Sequence, residues 1–277
     1  MRSEGSTPDA PRVLLAGMPR SGTTWAAAAL GAALGCPQRM EPFHPDKAPD
    51  ATSAAAWRYR SATDADPRFD TVVAEAFADA PVVVKDVQGV LAIERWEAVA
   101  APAVVLLSRH PVAVTASWQR VGWLDDDRAG AVLDQLVDQP ALMEAHLGDH
   151  ERALARRDDP LHNVGVLWGA IQRVWADQVA VHPDWVLVRH EDLCADPAER
   201  FTQLLDAAGL ALSDVGSAIL DAFLHHYDDD PGPDADPFSI SRRTAAEPAK
   251  AEAGLAPDDA RRVLAAAEAF DVAPLVR

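Results

Sequence analysis

Gly17-Met18-Pro19-Arg20-Ser21-Gly22-Thr23-Thr24-Trp25 stands between an apolar run, Val13 to Ala16, and an alanine-rich segment, Ala26 to Leu34. The apolar run predicts a buried parallel strand, and the alanines predict a helix of high intrinsic propensity. Strand, glycine-bearing turn and helix N-terminus together make a cradle for an anion. The first amides of a helix have no intrahelical partner, and the helix dipole favours negative charge beside them.

The spacing is G-x4-G-T-T, a P-loop with one change. A nucleoside triphosphatase needs Lys where Thr23 stands, because that ammonium reaches the β- and γ-phosphates. Here the cation lies inside the loop, as Arg20. A phosphate loop without the usual lysine points to a donor other than a nucleoside triphosphate. Ser21, Gly22, Thr23 and Thr24 supply backbone amides and hydroxyls to the same anion.

Further along, Ala103 to Leu107 is another short apolar strand, with Arg109 at its end and Pro111 suited to the first turn of a following helix. Ser117 lies about two turns into that helix. An arginine at a strand terminus and a helical serine can converge on one anion from two sides, since the planar guanidinium suits a phosphate dianion. A surface ion pair at Arg109 and a solvated Ser117 are the plainer alternatives. A third unit, Trp185-Val-Leu-Val-Arg189-His190-Glu191-Asp192-Leu193, is again a strand followed by a polar turn; Asp196-Pro197 then caps a helix ending near Gly209.

Pro19 to Trp25 resembles the 5′-phosphosulfate loop of sulfotransferases that use 3′-phosphoadenosine-5′-phosphosulfate (PAPS). Arg20 places the chain nearer the tyrosylprotein and bacterial members than the cytosolic ones, which carry lysine there. Arg109 and Ser117 match the family's 3′-phosphate site, the feature that separates PAPS from ATP. The resemblance implies PAPS as donor and adenosine 3′,5′-bisphosphate (PAP) as product; no metal is expected, since the loop lacks its lysine and no carboxylate pair has metal-ligand spacing. Relatives pack the residue matching Trp25 near the adenine, and a tyrosine where this chain has His190. Trp25 is the better candidate for the adenine contact; both also read as buried aromatics, His190 more readily so.

The resemblance also sets the transfer residues. A lysine at the position of Lys85 helps to hold the transferring group, and Arg20 faces the leaving phosphate. Cytosolic members follow that lysine with Thr-His, the histidine being the acceptor's base; here Val87 takes its place. Arginine-branch relatives carry a catalytic glutamate about as far from the loop arginine as Glu41, in Arg39-Met40-Glu41-Pro42-Phe43-His44, stands from Arg20. Glu41 is therefore the expected base, with His44 and Asp86 next. Relatives also close a basic C-terminal segment over the 3′-phosphate, a part for which Arg242 or Arg243 is available; either is equally readable as a solvated loop charge.

The 277 residues hold 25 Lys plus Arg against 43 Asp plus Glu, a formal charge of −18. Such a field argues against nucleic-acid or anionic-membrane partners and makes each cation near the candidate loop more informative. Cys36 and Cys194 lie far apart without metal-ligand spacing and read as free thiols. The opening has no signal-like segment, and no apolar stretch suits a bilayer, so a cytoplasmic protein is expected.

Strands are predicted at 12–16, 81–85, 103–107 and 185–189, and helices at 23–35, 112–121, 130–156, 163–180, 197–208, 213–226 and 257–269. The alternation predicts one α/β domain over 1–277: a doubly wound parallel sheet of the P-loop type with helices on both faces. Residues 1–10 are polar and expected to fray. Stretches 124–160 and 227–250 are expected to be lid or loop insertions. The leading function is sulfuryl transfer to a hydroxyl of a small molecule, carbohydrate or natural product. A P-loop kinase and a silent nucleotide-binding protein are the alternatives.

Overall fold

The computed structural model describes residues 10–229, 236, 240–241, 244–247, 249 and 254–272. Its centre is a five-stranded parallel sheet, β1 (Arg12–Gly17), β2 (Gln38–Met40), β3 (Val82–Asp86), β4 (Ala103–Ser108) and β5 (Val186–Arg189). The spatial order is β2-β3-β1-β4-β5. Four strands fall where the apolar runs predicted them. The fifth, β2, pairs Gln38 with Val83 and Met40 with Lys85 and forms one edge.

The helices are α1 (Thr23–Leu34), α2 (Pro49–Ala55), α3 (Pro67–Ala76), α4 (Ile93–Ala100), α5 (Pro111–Arg120), α6 (Arg128–Val137), α7 (Pro140–Leu142), α8 (Glu151–Ala155), α9 (Pro160–Val181), α10 (His190–Ala195), α11 (Pro197–Ala207), α12 (Asp214–Tyr227) and α13 (Pro257–Glu268). They cover both faces because strand side chains alternate. Val13, Leu15, Val83, Val105 and Leu107 meet Trp25, Leu30, Phe201 and Leu220 on one face. Leu14, Ala16, Val84, Val104 and Leu106 meet Phe43, Phe69, Trp96, Trp168 and Trp175 on the other. The doubly wound α/β architecture is as the alternation implied.

The single helix predicted over 130–156 is broken. After α6 the chain restarts at Pro140, passes through a π-turn over Met143–Leu147 and a 3₁₀ turn over Gly148–His150, and ends in α8. Pro140 lacks the amide that a continuous helix requires. Gln139 secures the break, its Nε2 donating to Trp57 O at 2.8 Å and Gln135 O at 3.0 Å. Leu133, Leu136, Leu142, Leu147 and Leu154 along this stretch are fully buried against the α9 side of the core. Among the described residues no helix is long and apolar enough to cross a membrane.

The parallel register brings the strand ends to one edge. Leu15 is paired with Lys85 on one side and Val105 on the other. The loop after β1, Glu41 after β2, Lys85 and Asp86 at the end of β3, Arg109 after β4 and His190 after β5 therefore share the C-terminal edge, where open α/β sheets bind ligands.

Candidate active site

The loop from Gly17 to Gly22 depends on two glycines. A Cβ on Gly17 would lie 2.3 Å from Thr23 Cγ2 and 3.1 Å from Leu107 O, so the loop hugs β4 only with glycine there. Gly22 has φ 87° and closes on His190, whose Cδ2 would be 2.4 Å from an added Cβ. Arg20 also takes a left-handed conformation, φ 75°, unusual for a residue with a side chain. Left-handed residues in such a loop turn successive amides to one side, a concavity suited to an anion. At the N-terminus of α1, Gly22 provides no side-chain cap and the first turn has no acidic residue. Ser21 Oγ is buried without a hydrogen-bond partner. A helix N-terminus without a capping side chain and an orphaned hydroxyl are what a phosphate or phosphosulfate would satisfy.

Around this loop the structure assembles the residues singled out from sequence. Arg20 Nε donates to Ser117 Oγ at 3.0 Å, and Arg109 Nη1 donates to Arg20 O at 3.1 Å. Arg109 and Ser117 thus meet through Arg20. Two indoles hold the backbone around them: Trp118 Nε1 donates to Pro19 O, beside Arg20, at 3.1 Å and Trp168 Nε1 to Arg109 O at 2.8 Å. Both indoles thus border the candidate anion site. Burial pulls the Arg20 pKa down, and the charges of Arg120 and Arg109 lower it further while Asp236 acts the other way. Arg120 is a cation the sequence reading missed. It lies on α5 three positions after Ser117, a spacing that places both on one helix face. Arg109 also has a partner that sequence did not foretell, Glu247, whose Oε2 accepts from Nη2 at 2.9 Å.

Lys85 is almost fully buried and pairs with Glu41 across 44 positions of sequence. The Glu41 amide donates to Lys85 O at 2.6 Å, and Glu41 itself has φ 48°. Backbone and side chain together aim the carboxylate at the end of β3. His44 turns away to Asp46, its Nδ1 3.5 Å from the carboxylate. Asp86 is buried beneath: its Oδ1 accepts from Gln88 N at 2.8 Å and Gly89 N at 2.6 Å, while Oδ2 has no partner. Burial pushes its pKa up to about 6, against the pull of the two amides and Lys85.

Trp25 and His190 are enclosed, 1% and 0% exposed. Their rings meet edge to face at 5.8 Å, and Phe201 packs on the other side of Trp25. Trp25 presents no open face for stacking; His190 abuts Gly22 and props the loop from beneath. Thr23 is buried and Thr24 exposed at the mouth of α1. Arg242 and Arg243 lie outside the described residues. Cys36 and Cys194 are buried and form no disulfide. Among the described residues no group of three or more His, Cys, Asp or Glu is arranged to hold a metal ion.

No family model and no curated protein matches the sequence. The fold does match solved structures. The sulfotransferase domain from the curacin biosynthetic pathway is 16% identical with a TM-score of 0.50, over 94% of this chain and 98% of that one. Mouse sulfotransferase SULT7A1 complexed with PAP is 10% identical with a TM-score of 0.44, over 91% of this chain and 81% of that one. The chain has the fold of sulfotransferase domains.

Proposed function

We propose that the protein transfers a sulfuryl group from PAPS to a hydroxyl of a small molecule, carbohydrate or natural product. The observation that carries this is the joining of Arg20, Ser117 and Arg109 into one hydrogen-bonded cluster at the mouth of a lysine-free phosphate loop. In this reading the α1 amides, Ser21 and Arg20 hold the 5′ end of the donor, and Arg109 and Ser117 hold its 3′-phosphate. The donor brings the activated sulfuryl group. Arg20 stands where charge gathers on the departing phosphate, and positioned donors of this kind contribute about 10² to 10³ each in rate. Glu41 takes the proton of the acceptor hydroxyl, and Lys85 fixes its carboxylate while offering a cation to the group in transfer. The Arg109 charge is the feature that an ATP-dependent phosphotransferase does not require.

Two measurements test the reading. PAP should raise the melting temperature well beyond adenosine 5′-phosphate, because only PAP brings a phosphate to Arg109, and Arg109→Ala should erase most of the difference. With ³⁵S-labelled PAPS, a panel of hydroxyl acceptors should yield labelled product. Equal thermal shifts from both nucleotides would remove the 3′-phosphate assignment. Intact PAP binding with no labelled acceptor would reduce the protein to a nucleotide-binding one.

A further inference from the structure

The guanidinium assigned above to the donor's 3′-phosphate already holds an anion. Arg109 Nη2 donates to Glu247 Oε2 at 2.9 Å, and the two side chains are 10% and 9% exposed. Two charges withdrawn this far from water persist only when well bonded. The bonding is present. The other arm of Arg109 donates to Arg20 O. Three residues before Glu247, Thr244 donates from both its amide and its hydroxyl to Asp228 Oδ1, at 2.8 and 2.9 Å. The turn Thr244–Ala246 also touches α10. Glu247 is therefore delivered to Arg109 from a turn fastened at the end of α12. Asp236 exerts its negative charge on Arg20, so both arginines of the site feel a carboxylate from the stretch that follows α12.

A carboxylate and a phosphate offer the same oxygen to the same N–H, but the phosphate carries nearly twice the charge. Replacing one by the other keeps Arg109 paired throughout, whereas simply withdrawing Glu247 would strand a buried cation.

We propose that Glu247 is a placeholder anion: it occupies Arg109 in the free protein, yields to the 3′-phosphate when the nucleotide binds, and returns to Arg109 as PAP leaves. This rests on the sulfuryl-transfer reading above and adds a residue to its cycle. It makes nucleotide entry an exchange of partners at Arg109. It also gives the product a route out, since a returning carboxylate competes for the guanidinium that holds it. Release of product limits many enzymes, so a residue acting there sets turnover without touching the reacting atoms.

The test compares the full chain with Glu247→Gln, using PAP and adenosine 5′-phosphate in calorimetry and stopped-flow dissociation. Without the competing charge, PAP should bind about tenfold or more tighter, mostly through slower dissociation, as is usual when one interface is altered. Adenosine 5′-phosphate, with nothing to place on Arg109, should change less than about twofold, and it reports any effect of the lost charge at long range. An unchanged or weaker PAP affinity in the variant, with the wild type still preferring PAP, would overturn the placeholder and leave the sulfuryl-transfer reading standing. A wild type indifferent to the 3′-phosphate would overturn both. Should the variant fail to fold, hydrogen exchange on the wild type decides: PAP should speed exchange across 244–247 and adenosine 5′-phosphate should not. Protection of that turn by PAP would refute the exchange.

Discussion

Replacing Asp86 by asparagine should stabilise the protein at neutral pH. The carboxyl is wholly buried at the end of β3, and burial raises its pKa from 3.8 to about 6. The folded chain therefore holds this proton up to about pH 6, whereas the unfolded chain releases it near 3.8. Between those values the native state binds more protons, so the contribution of Asp86 to stability falls as pH rises. At 1.36 kcal/mol per tenfold, the full cost at pH 7 is about 3 kcal/mol. About half of it develops between pH 5 and pH 7. Asparagine keeps an oxygen for the amides of Gln88 and Gly89 and replaces unpartnered Oδ2 with an equally unpartnered NH₂ group, so the charge is the main difference. Urea unfolding of both proteins between pH 5 and 8 should show the variant ahead by about 1–3 kcal/mol at pH 7.5, with the margin shrinking toward pH 5. A variant that is less stable at pH 7.5, or a margin that does not move with pH, would refute the argument. Turnover of the same variant also separates Asp86 from Glu41 as the acceptor's base.

Glu41→Gln should preserve PAP affinity and lower turnover by about 10² or more; near-normal turnover would move the search to Asp86 and His44. Lys85→Ala should reduce turnover far more than PAP affinity, because its work lies on the group in transfer, which PAP lacks; Arg20→Ala should lower both, because PAP carries the full charge of the departed phosphate. A parallel fall in rate and calorimetric affinity for Lys85→Ala would show that this lysine merely holds nucleotide. Gly22→Ala places a Cβ 2.4 Å from the His190 ring at a φ of 87°, and should abolish stabilisation by PAP while the sheet still folds. Stabilisation equal to that of the parent would mean that the loop does not bind the nucleotide.

The strands at the centre of the sheet were legible because both of their faces are buried and each therefore reads as a continuous apolar run. The loop was legible because chemistry restricts its residues: glycine where β4 and His190 approach, and an arginine inside the loop while threonine takes the usual lysine position. β2 was not legible. Gln38-Arg39-Met40 is three residues long, lies at an edge and has no alternation to detect. α3 did carry its signal, Asp66 capping Arg68 N with Pro67 at the first position, but the acidic segment around it masked the period. The helix drawn through 130–156 ignored Pro140, and the proline prevailed over the periodicity. In the site, Arg120 was recoverable from its spacing to Ser117. Glu247 was not, because its partner lies 138 positions away and no local pattern links them.

Trp118 and Trp168 hang by their indole N–H groups from the carbonyls of Pro19 and Arg109, at 3.1 and 2.8 Å. An indole's emission follows the polarity and hydrogen bonding around its nitrogen. Any ligand that draws the loop or the Arg109 strand end by a fraction of an ångström therefore alters the light from these two residues. Trp175, bonded to Val90 O in the core, supplies a steady background. On the proposed function, the chain carries an optical gauge of its candidate anion site, one that would read nucleotide arrival and departure without a label.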